Sequence, residues 1–287
     1  ALLGGALAAA AAVGMLGCAP APAPSETAAG SSASPSASVE VIQRRTDYAA
    51  GILVIAVTNT GDDALVVTRA ELDDARFAEP AVVSGKRSII PAGRTVDLRT
   101  PIPAADCENE ADVAEGAVPA VRLETEDGAT LDVAPTDPTG TVDRLVGAAC
   151  LASDVAGIVA ITPPEALRVT GDGVDAVAHL DLALDPTGAD SEVRISGVHS
   201  TNLIASPDTG TSWVLDRTVS GTDEPGVLAL DVRPTRCDAH AVAEDKVGTI
   251  LVLDVAVDGG GPGTIQVPMP DPVRVAIYDY LAQVCRY

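Results

Sequence analysis

The segment RCDAHAVAEDK, residues 236–246, places a thiol, carboxylates, an imidazole and an ammonium group within eleven positions. Carboxylate oxygens and imidazole nitrogens bind divalent metals in proteins. The candidate ligands are Asp238, His240, Glu244 and Asp245. The segment also suits a short helical turn, because Asp238 can cap its start and Gly248 suits its end. We expect this structural role rather than a metal site, since charged clusters usually lie on the surface.

A second candidate for chemistry is Asp208, at the start of Asp208-Thr209-Gly210-Thr211-Ser212. This run resembles the aspartic-protease signature, in which two such loops bring together two carboxylates that share one proton. The chain has no second DTG or DSG, and Pro207 replaces the usual apolar residue. Turn chemistry alone explains Pro-Asp-Thr-Gly. We therefore expect no catalytic residue and no cofactor, with hydrolysis through Asp208 as the less favoured alternative.

The beginning of the chain predicts its location. Residues 1–17 are uncharged and mostly small or apolar, and the run Met15-Leu16-Gly17-Cys18 closes them. This resembles the lipobox of bacterial lipoproteins, where the peptide bond before the cysteine is cut and the thiol is acylated. Gly17 and Cys18 match that pattern, whereas Met15 and Leu16 are looser matches. A transmembrane helix is the alternative, but the segment is shorter than the roughly 20 residues that a span needs.

The resemblance implies a signal peptide at 1–17, truncated at its start, and a lipid on Cys18. The protein would then lie on the extracytoplasmic face of the bacterial cell membrane. Residues 18–40 are rich in Pro, Ala and Ser and contain almost no large apolar side chain. Such a segment cannot bury enough surface to fold, so we predict a disordered, lipid-anchored tether. Fully extended, it would reach roughly 60 Å.

An internal repeat divides the rest of the chain into two domains. With Cys107 set on Cys237, about twenty residues align without a gap, and Val121 and Leu123 fall on Leu251 and Leu253. Farther on, ATLDV at 129–133 matches GTIQV at 263–267, and each copy closes with a Cys. The predicted boundaries are domain 1 at 41–150, a linker at 151–160 and domain 2 at 161–287.

The repeat also predicts how the cysteines pair. Four cysteines allow three connectivities, and the repeat selects one disulfide within each copy: Cys107 with Cys150, and Cys237 with Cys285. Disulfides agree with the oxidising exterior that the lipobox implies. Each should stabilise its domain by about 4 kcal/mol on a chain-entropy estimate.

Hydrophobic alternation predicts the fold class. Residues 177–185 alternate between apolar and polar side chains, which indicates a half-buried strand with His179 facing water. Residues 51–67 contain two β-rich runs around Asn59-Thr60-Gly61-Asp62, a hairpin signal. This pattern, with a later Ile-Pro-Ala-Gly turn, resembles bacterial immunoglobulin-like modules. We predict an all-β protein of two tandem immunoglobulin-like β-sandwich domains, each with one internal disulfide and short helical turns.

The composition of the chain disfavours several classes of binding partner. A net charge of −23 opposes electrostatic binding to nucleic acid and to anionic lipid surfaces. Aromatic residues make up only 2% of the chain, which disfavours platforms that stack sugars on rings. We predict a non-enzymatic, lipid-anchored binding or assembly module of the cell envelope, with a protein partner there and contact to the membrane through the lipid. A metal-handling lipoprotein that uses acidic loops is the alternative.

Overall fold

A computed structural model describes residues 36–48, 50–108, 118–245 and 247–286. Within these ranges the chain is mostly β-structure, and its buried apolar side chains form two hydrophobic cores, one in each half. The predicted all-β class, with two β-sandwich modules in tandem, is confirmed.

The first module contains two antiparallel sheets that enclose the first core. Its strands are β1 (Ala37–Ile42), β2 (Ile52–Asn59), β3 (Leu65–Asp73), β4 (Ala81–Val83), β5 (Ser88–Ile90), β6 (Thr95–Pro101), β7 (Ala120–Thr125) and β8 (Thr130–Val133). One sheet has the order β1-β2-β6. In the other, β3 pairs with β4, β5 and β7, and β7 pairs with β8.

The second module repeats this strand order around its own core. Its strands are β9 (Val159–Thr162), β10 (Arg168–Thr170), β11 (Val177–Pro186), β12 (Glu192–Val198), β13 (Ile204–Ala205), β14 (Trp213–Ser220), β15 (Gly226–Pro234), β16 (Ile250–Val257) and β17 (Gly263–Pro268). One sheet runs β10-β11-β15-β13, with β9 also on β11, and the other runs β14-β12-β16-β17. Strand pairs β2/β6 and β3/β7 correspond to β11/β15 and β12/β16, and this two-sheet order is that of an immunoglobulin-like sandwich.

Both predicted disulfides are present, Cys107–Cys150 and Cys237–Cys285. Each joins the segment before a central strand, β7 or β16, to a helix that follows the last strand of the module. These helices are α1 (Thr141–Ile158) and α3 (Asp271–Cys285), and a short helix α2 (Ala239–Ala243) precedes β16. The two closing helices have 18 and 15 residues, so they are longer than the helical turns that we predicted.

Helix α1 belongs to both modules. Val142, Val146 and Cys150 are buried in the first core, whereas Val155 and Ile158 are buried in the second. The helix runs without interruption to Ile158, and β9 begins at Val159. The predicted linker at 151–160 is therefore helix and strand. The reason is that Val155 and Ile158, one turn apart, bury themselves on the second module.

Residues 51–67 do not form the predicted hairpin. β2 and β3 lie in different sheets, so the chain crosses between the sheets at Asn59. The Asn59 side chain is buried, and its amide donates to the carbonyls of Asp63 and Ile90 while its oxygen accepts from the Gly61 N–H. These hydrogen bonds satisfy backbone carbonyl and N–H groups at the point where the chain leaves one sheet. Asn-Thr-Gly therefore forms a crossing between sheets here and not a hairpin turn.

The first strand begins inside the predicted tether. β1 starts at Ala37 and pairs with β2 from Ala37↔Asn59 to Ile42↔Val54. Its opposite edge exchanges hydrogen bonds with Thr136, because Val41 N–H donates to the Thr136 carbonyl and Thr136 N–H donates to the Val39 carbonyl. Residues 37–40 are thus ordered sheet, since Val39 and Val41 supply two alternating buried side chains. Cys18 and residues 19–35 of the predicted tether lie outside the described residues.

Candidate functional site

The strand registers place two loop clusters at one end of the second module. Helix α1 enters this module where Val159 pairs with Pro186, at the end of β11. Loop 199–212, which includes the short β13, and loop 235–249, which includes α2, lie at the opposite end, where Val198 pairs with Trp213 and where Ile250 pairs with Pro268. We call these two loops the distal loops. They contain Asp208 and all four predicted metal candidates.

The distal loops are fastened to each other. The Thr201 hydroxyl donates to the Gly248 carbonyl at 2.7 Å, and it accepts from the N–H groups of Leu203 and Ile204. Gly248 leaves no room for a side chain, because a Cβ there would lie 2.4 Å from the Leu203 Cγ. The two loops therefore form one supported surface.

The segment 236–246 contains the predicted short helix, α2. Asp238 accepts a hydrogen bond from the His240 N–H at 3.0 Å through its carboxylate, as expected of a capping residue. The Asp245 carboxylate accepts from the Gly248 N–H at 2.7 Å and closes the turn that follows α2. Two of the four candidate metal ligands thus serve local backbone structure.

The other two candidates, His240 and Glu244, are not part of a metal-binding arrangement in the described residues. Across the described parts of the chain, no group of three His, Cys, Asp or Glu side chains is arranged to hold a metal ion.

Tyr278 on α3 points its hydroxyl at the Asp245 carboxylate, 3.5 Å away. Burial, and secondly the nearby Asp245 charge, raise the pKa of the Tyr278 hydroxyl above its ordinary value.

Asp208 is exposed in a tight turn, as turn chemistry predicts. The Gly210 N–H donates to the Ser206 carbonyl, and the Ser206 N–H donates to the Thr211 carbonyl. The Thr209 hydroxyl closes the turn on the Ser212 carbonyl at 3.0 Å. The turn supports Asp208 but gives it no carboxylate partner of the kind that an aspartic protease needs.

A different set of polar side chains meets on the outer face of the sheet that contains β10, β11 and β15. The Nδ1 atom of His179 lies 2.6 Å from the Asp231 carboxylate, and its Nε2 atom lies 2.7 Å from the Thr170 hydroxyl. A carboxylate only accepts hydrogen bonds, so Nδ1 carries the proton. In the neutral imidazole Nε2 then accepts, and the Thr170 hydroxyl donates to it.

Strand pairing fixes this network. His179 lies directly opposite Asp231 on β15 and opposite Arg168 on β10, and Thr170 ends β10 two residues later. Only 14% of the His179 side chain is exposed, against 59% for Asp231. The prediction that β11 alternates is confirmed, but His179 is covered by its neighbours rather than open to water.

Trp213, the single Trp of the chain, hydrogen-bonds to the backbone of Asp231, a member of the same network. The Trp213 indole N–H donates to the Asp231 carbonyl at 2.8 Å, and the Trp213 side chain is buried. This bond links the two sheets of the second module at the residue that contacts His179. Backbone and side chain of Asp231 are thereby both held.

The network was missed at the level of sequence because its members come from positions 170, 179 and 231. Alternation along 177–185 predicts that His179 lies on the outer face of its strand. It gave no information on which strands pair or in what register. A shift by two residues would have separated the two side chains, so only the fold brings them together.

Comparison with known proteins gives no family. No family model matches the chain, and no curated protein matches its sequence. Similar solved structures include the Pseudomonas aeruginosa CupB2 chaperone, at 13% identity and a TM-score of 0.18, covering 76% of this chain and 92% of that one. A biofilm-associated protein BSP domain shows 8% identity and a TM-score of 0.21, covering 81% and 58%.

Red sea bream transglutaminase shows 11% identity and a TM-score of 0.21, with coverage of 83% of this chain and 31% of that one. TM-scores of this size carry no conclusion about relationship or activity. The immunoglobulin-like assignment rests on the strand order instead. No helix in the described ranges is long and apolar enough to cross a membrane.

Proposed function

We propose that this protein is a lipid-anchored, extracytoplasmic binding or assembly module of the bacterial cell envelope, and that it acts without catalysis. The anchor would be a lipid on Cys18, and the distal loops would contact a protein partner. One observation carries the proposal: the described chain enters the first module at one end, and the distal loops lie at the far end of the second.

The path of the chain supports this arrangement. β1 begins beside Asn59, and α1 starts at the other end of the first module, where Asp143 pairs with Arg76 and Arg144 donates to Gln43. The helix then enters the second module at the end opposite the distal loops. A tether before β1 would hold the protein by one end and leave the distal loops facing away.

The disulfides support an extracytoplasmic location. One disulfide clips each module, and such bonds form and persist in oxidising compartments. The second, through the exposed Cys237, fastens α3 beside the distal loops and so limits the freedom of the proposed binding surface. A rigid surface loses less conformational entropy when a partner binds.

The net charge of −23 favours a partner with a basic surface and disfavours nucleic acid. Charge complementarity mainly speeds association and weakens as salt rises. We therefore expect partner binding to slow as salt is added.

Site-specific photo-crosslinking tests the proposal. A photoreactive residue is introduced at Asp208 in the distal loops, and at Asp62 as the matched control. Both are exposed loop aspartates, but Asp62 lies at the end where β1 begins. In intact cells we expect one protein to be captured from position 208 and not from position 62.

Equal capture from both positions, or none from 208, would contradict the binding surface. A second arm tests the anchor separately, since Cys18→Ala should move the protein from the membrane fraction to the soluble extracytoplasmic fraction. Retention of Cys18→Ala in the membrane would contradict lipidation and leave the distal-loop proposal standing.

A further inference from the structure

We propose that Thr170 is an acyl-acceptor site, activated by His179 and positioned by Asp231, which takes one acyl group from an activated ester or thioester. The proposal goes beyond the binding role and does not depend on it. It rests on three side chains from three neighbouring strands that meet in the order carboxylate, imidazole, hydroxyl.

The order of these three groups decides which nitrogen of His179 can accept the hydroxyl proton. Because Asp231 accepts from Nδ1, the lone pair of Nε2 is directed at the Thr170 hydroxyl. An imidazole held in this way removes the hydroxyl proton as the oxygen attacks a carbonyl. His179 therefore acts as the general base, and Asp231 positions it by fixing the tautomer and the ring orientation.

The burial pattern fits this division of roles. The imidazole of His179 is largely covered, so water competes little for its hydrogen bonds. Thr170 is exposed at the end of β10, so a donor can reach its hydroxyl. Trp213 holds the Asp231 backbone, which limits movement of the carboxylate.

The acyl transfer balances within the site. The Thr170 Oγ1 forms a bond to the carbonyl carbon of the donor, and its proton moves to Nε2 of His179. The bond from that carbon to the leaving alkoxide or thiolate breaks, and the leaving group takes the proton from Nε2. The products are an ester on Thr170, a free alcohol or thiol, and His179 in its starting state.

The shape of the site favours modification over repeated turnover. The three side chains lie on the outer face of a sheet, where a large donor such as an acylated carrier has access. A cavity in the described residues lies elsewhere, at the module junction, and is lined by Gly147, Leu151 and Gly263. A sheet face does not hold a small substrate in place, so we infer a single, stable acylation.

The test uses p-nitrophenyl acetate as the acyl donor and the full chain in its oxidised form. Release of p-nitrophenolate gives the rate, and intact mass with peptide mapping gives the position of the acetyl group. We expect one acetyl group on Thr170. His179→Gln should slow acetylation of Thr170 by about a hundredfold, which is the scale of general base catalysis.

Controls separate activation from simple exposure. Thr218 is an exposed threonine on β14 of the same module, so it should stay unmodified, and Thr218→Val should not change the rate at Thr170. Asp231→Asn tests positioning, because ¹⁵N NMR should show loss of the Nδ1-protonated tautomer together with a slower reaction. The unfolding midpoint of each variant shows whether it folds, and Asp231→Asn replaces His179→Gln if the latter does not.

Two results would overturn the proposal. One is acetylation confined to lysines or the amino terminus, with Thr170 unmodified. The other is an unchanged rate at Thr170 in folded His179→Gln, which would leave the network as a cross-strand hydrogen-bond pair only. Neither result affects the crosslinking test of the distal loops.

Discussion

Thr68 on β3 and Ser196 on β12 are the extra residues of two β-bulges at the same register in the two modules. On one side of each bulge, Val67 pairs with Thr125 and Ile195 pairs with Val255. On the other side, Ala70 pairs with Leu123 and Val198 with Leu253. The sequence repeat aligns Leu123 with Leu253. The bulges show that the correspondence between the modules continues into β3 and β12, where the sequences show no match.

The charges beside the bulge differ between modules. In the first, Arg69 forms ion pairs with Glu71 and Glu124. In the second, Gly197 takes the arginine's place, where a Cβ would lie 3.1 Å from the Trp213 carbonyl. His199, in the place of Glu71, pairs instead with Asp254 at 2.8 Å. The close approach of the Trp213 carbonyl therefore disfavours any side chain at position 197 of the second module.

Tyr280 should make the second module sensitive to alkali. Its buried hydroxyl donates to the carbonyls of Ala176 and Val232, and burial raises its pKa above the ordinary value of 10.0. Because the raised pKa belongs to the folded state, its stabilisation is complete below pH 10 and is lost as pH rises further. Tyr280→Phe should cost about 1 to 3 kcal/mol at neutral pH.

Denaturant melts of both proteins from neutral pH to above pH 10 check this. The loss of stability in alkali should be smaller in Tyr280→Phe than in the wild type. Tyr278→Phe is the matched control, since the Tyr278 side chain is only half-buried and its hydrogen bond to Asp245 is long, at 3.5 Å. An equal neutral-pH loss in both variants would contradict the assigned role of Tyr280.

The two disulfides should differ in reactivity. Cys150 is buried in the first core, whereas Cys237 is exposed. Thiol exchange requires access to a sulfur atom, so limited reductant should open Cys237–Cys285 first. Alkylation followed by peptide mapping measures the order, and earlier labelling of Cys107 and Cys150 would show that access does not control it.

Gly263 lies close to helix α1 at the module junction. A Cβ at this position would lie 2.5 Å from the Leu151 Cδ2 on α1, so the end of the Leu151 side chain would have to shift. Gly263→Val should therefore destabilise the protein by about 1 kcal/mol. Thr264→Val, at the next and exposed position of β17, should have little effect. Equal unfolding free energies for the two variants would argue against close packing of α1 on β17.

His240 and Glu244 should be dispensable for stability. Replacing both by Ala should change the free energy of unfolding by about 1 kcal/mol or less, because exposed substitutions seldom cost more. Added zinc or copper should not raise the melting temperature of the wild type. A rise of several degrees at about pH 7.5 that disappears at about pH 5.5, where imidazole is protonated, would instead support the metal-handling alternative.

Arg217 should protect an open sheet edge. Among the described strands, β14 pairs with β12 alone, and Arg217 is in the same alternating set as the buried Trp213 and Val219. A charge at an inward position of an edge strand opposes pairing with another chain. Arg217→Val should therefore self-associate in sedimentation velocity, whereas Thr218→Val, on the outer face of β14, should stay like the wild type.

Sequence patterns predicted the parts of the fold that depend on local periodicity or on the repeat. Alternation gave β11, and the matched cysteines gave both disulfides. The hairpin prediction at Asn59-Thr60-Gly61 was wrong because hairpin turns and sheet crossings use the same residue types. Which of the two forms depends on contacts with distant residues, here the Ile90 carbonyl. The Thr170 network depends on strand register, which local sequence does not encode.

Helix α1 limits how these modules could be exchanged between proteins. A cut after Cys150 would keep the first disulfide but remove the turns that carry Val155 and Ile158 into the second core. A cut after Ile158 would leave those two apolar side chains attached to the wrong half. Recombination of intact modules would therefore have to rebuild the shared helix each time, so the pair should be inherited together as one unit.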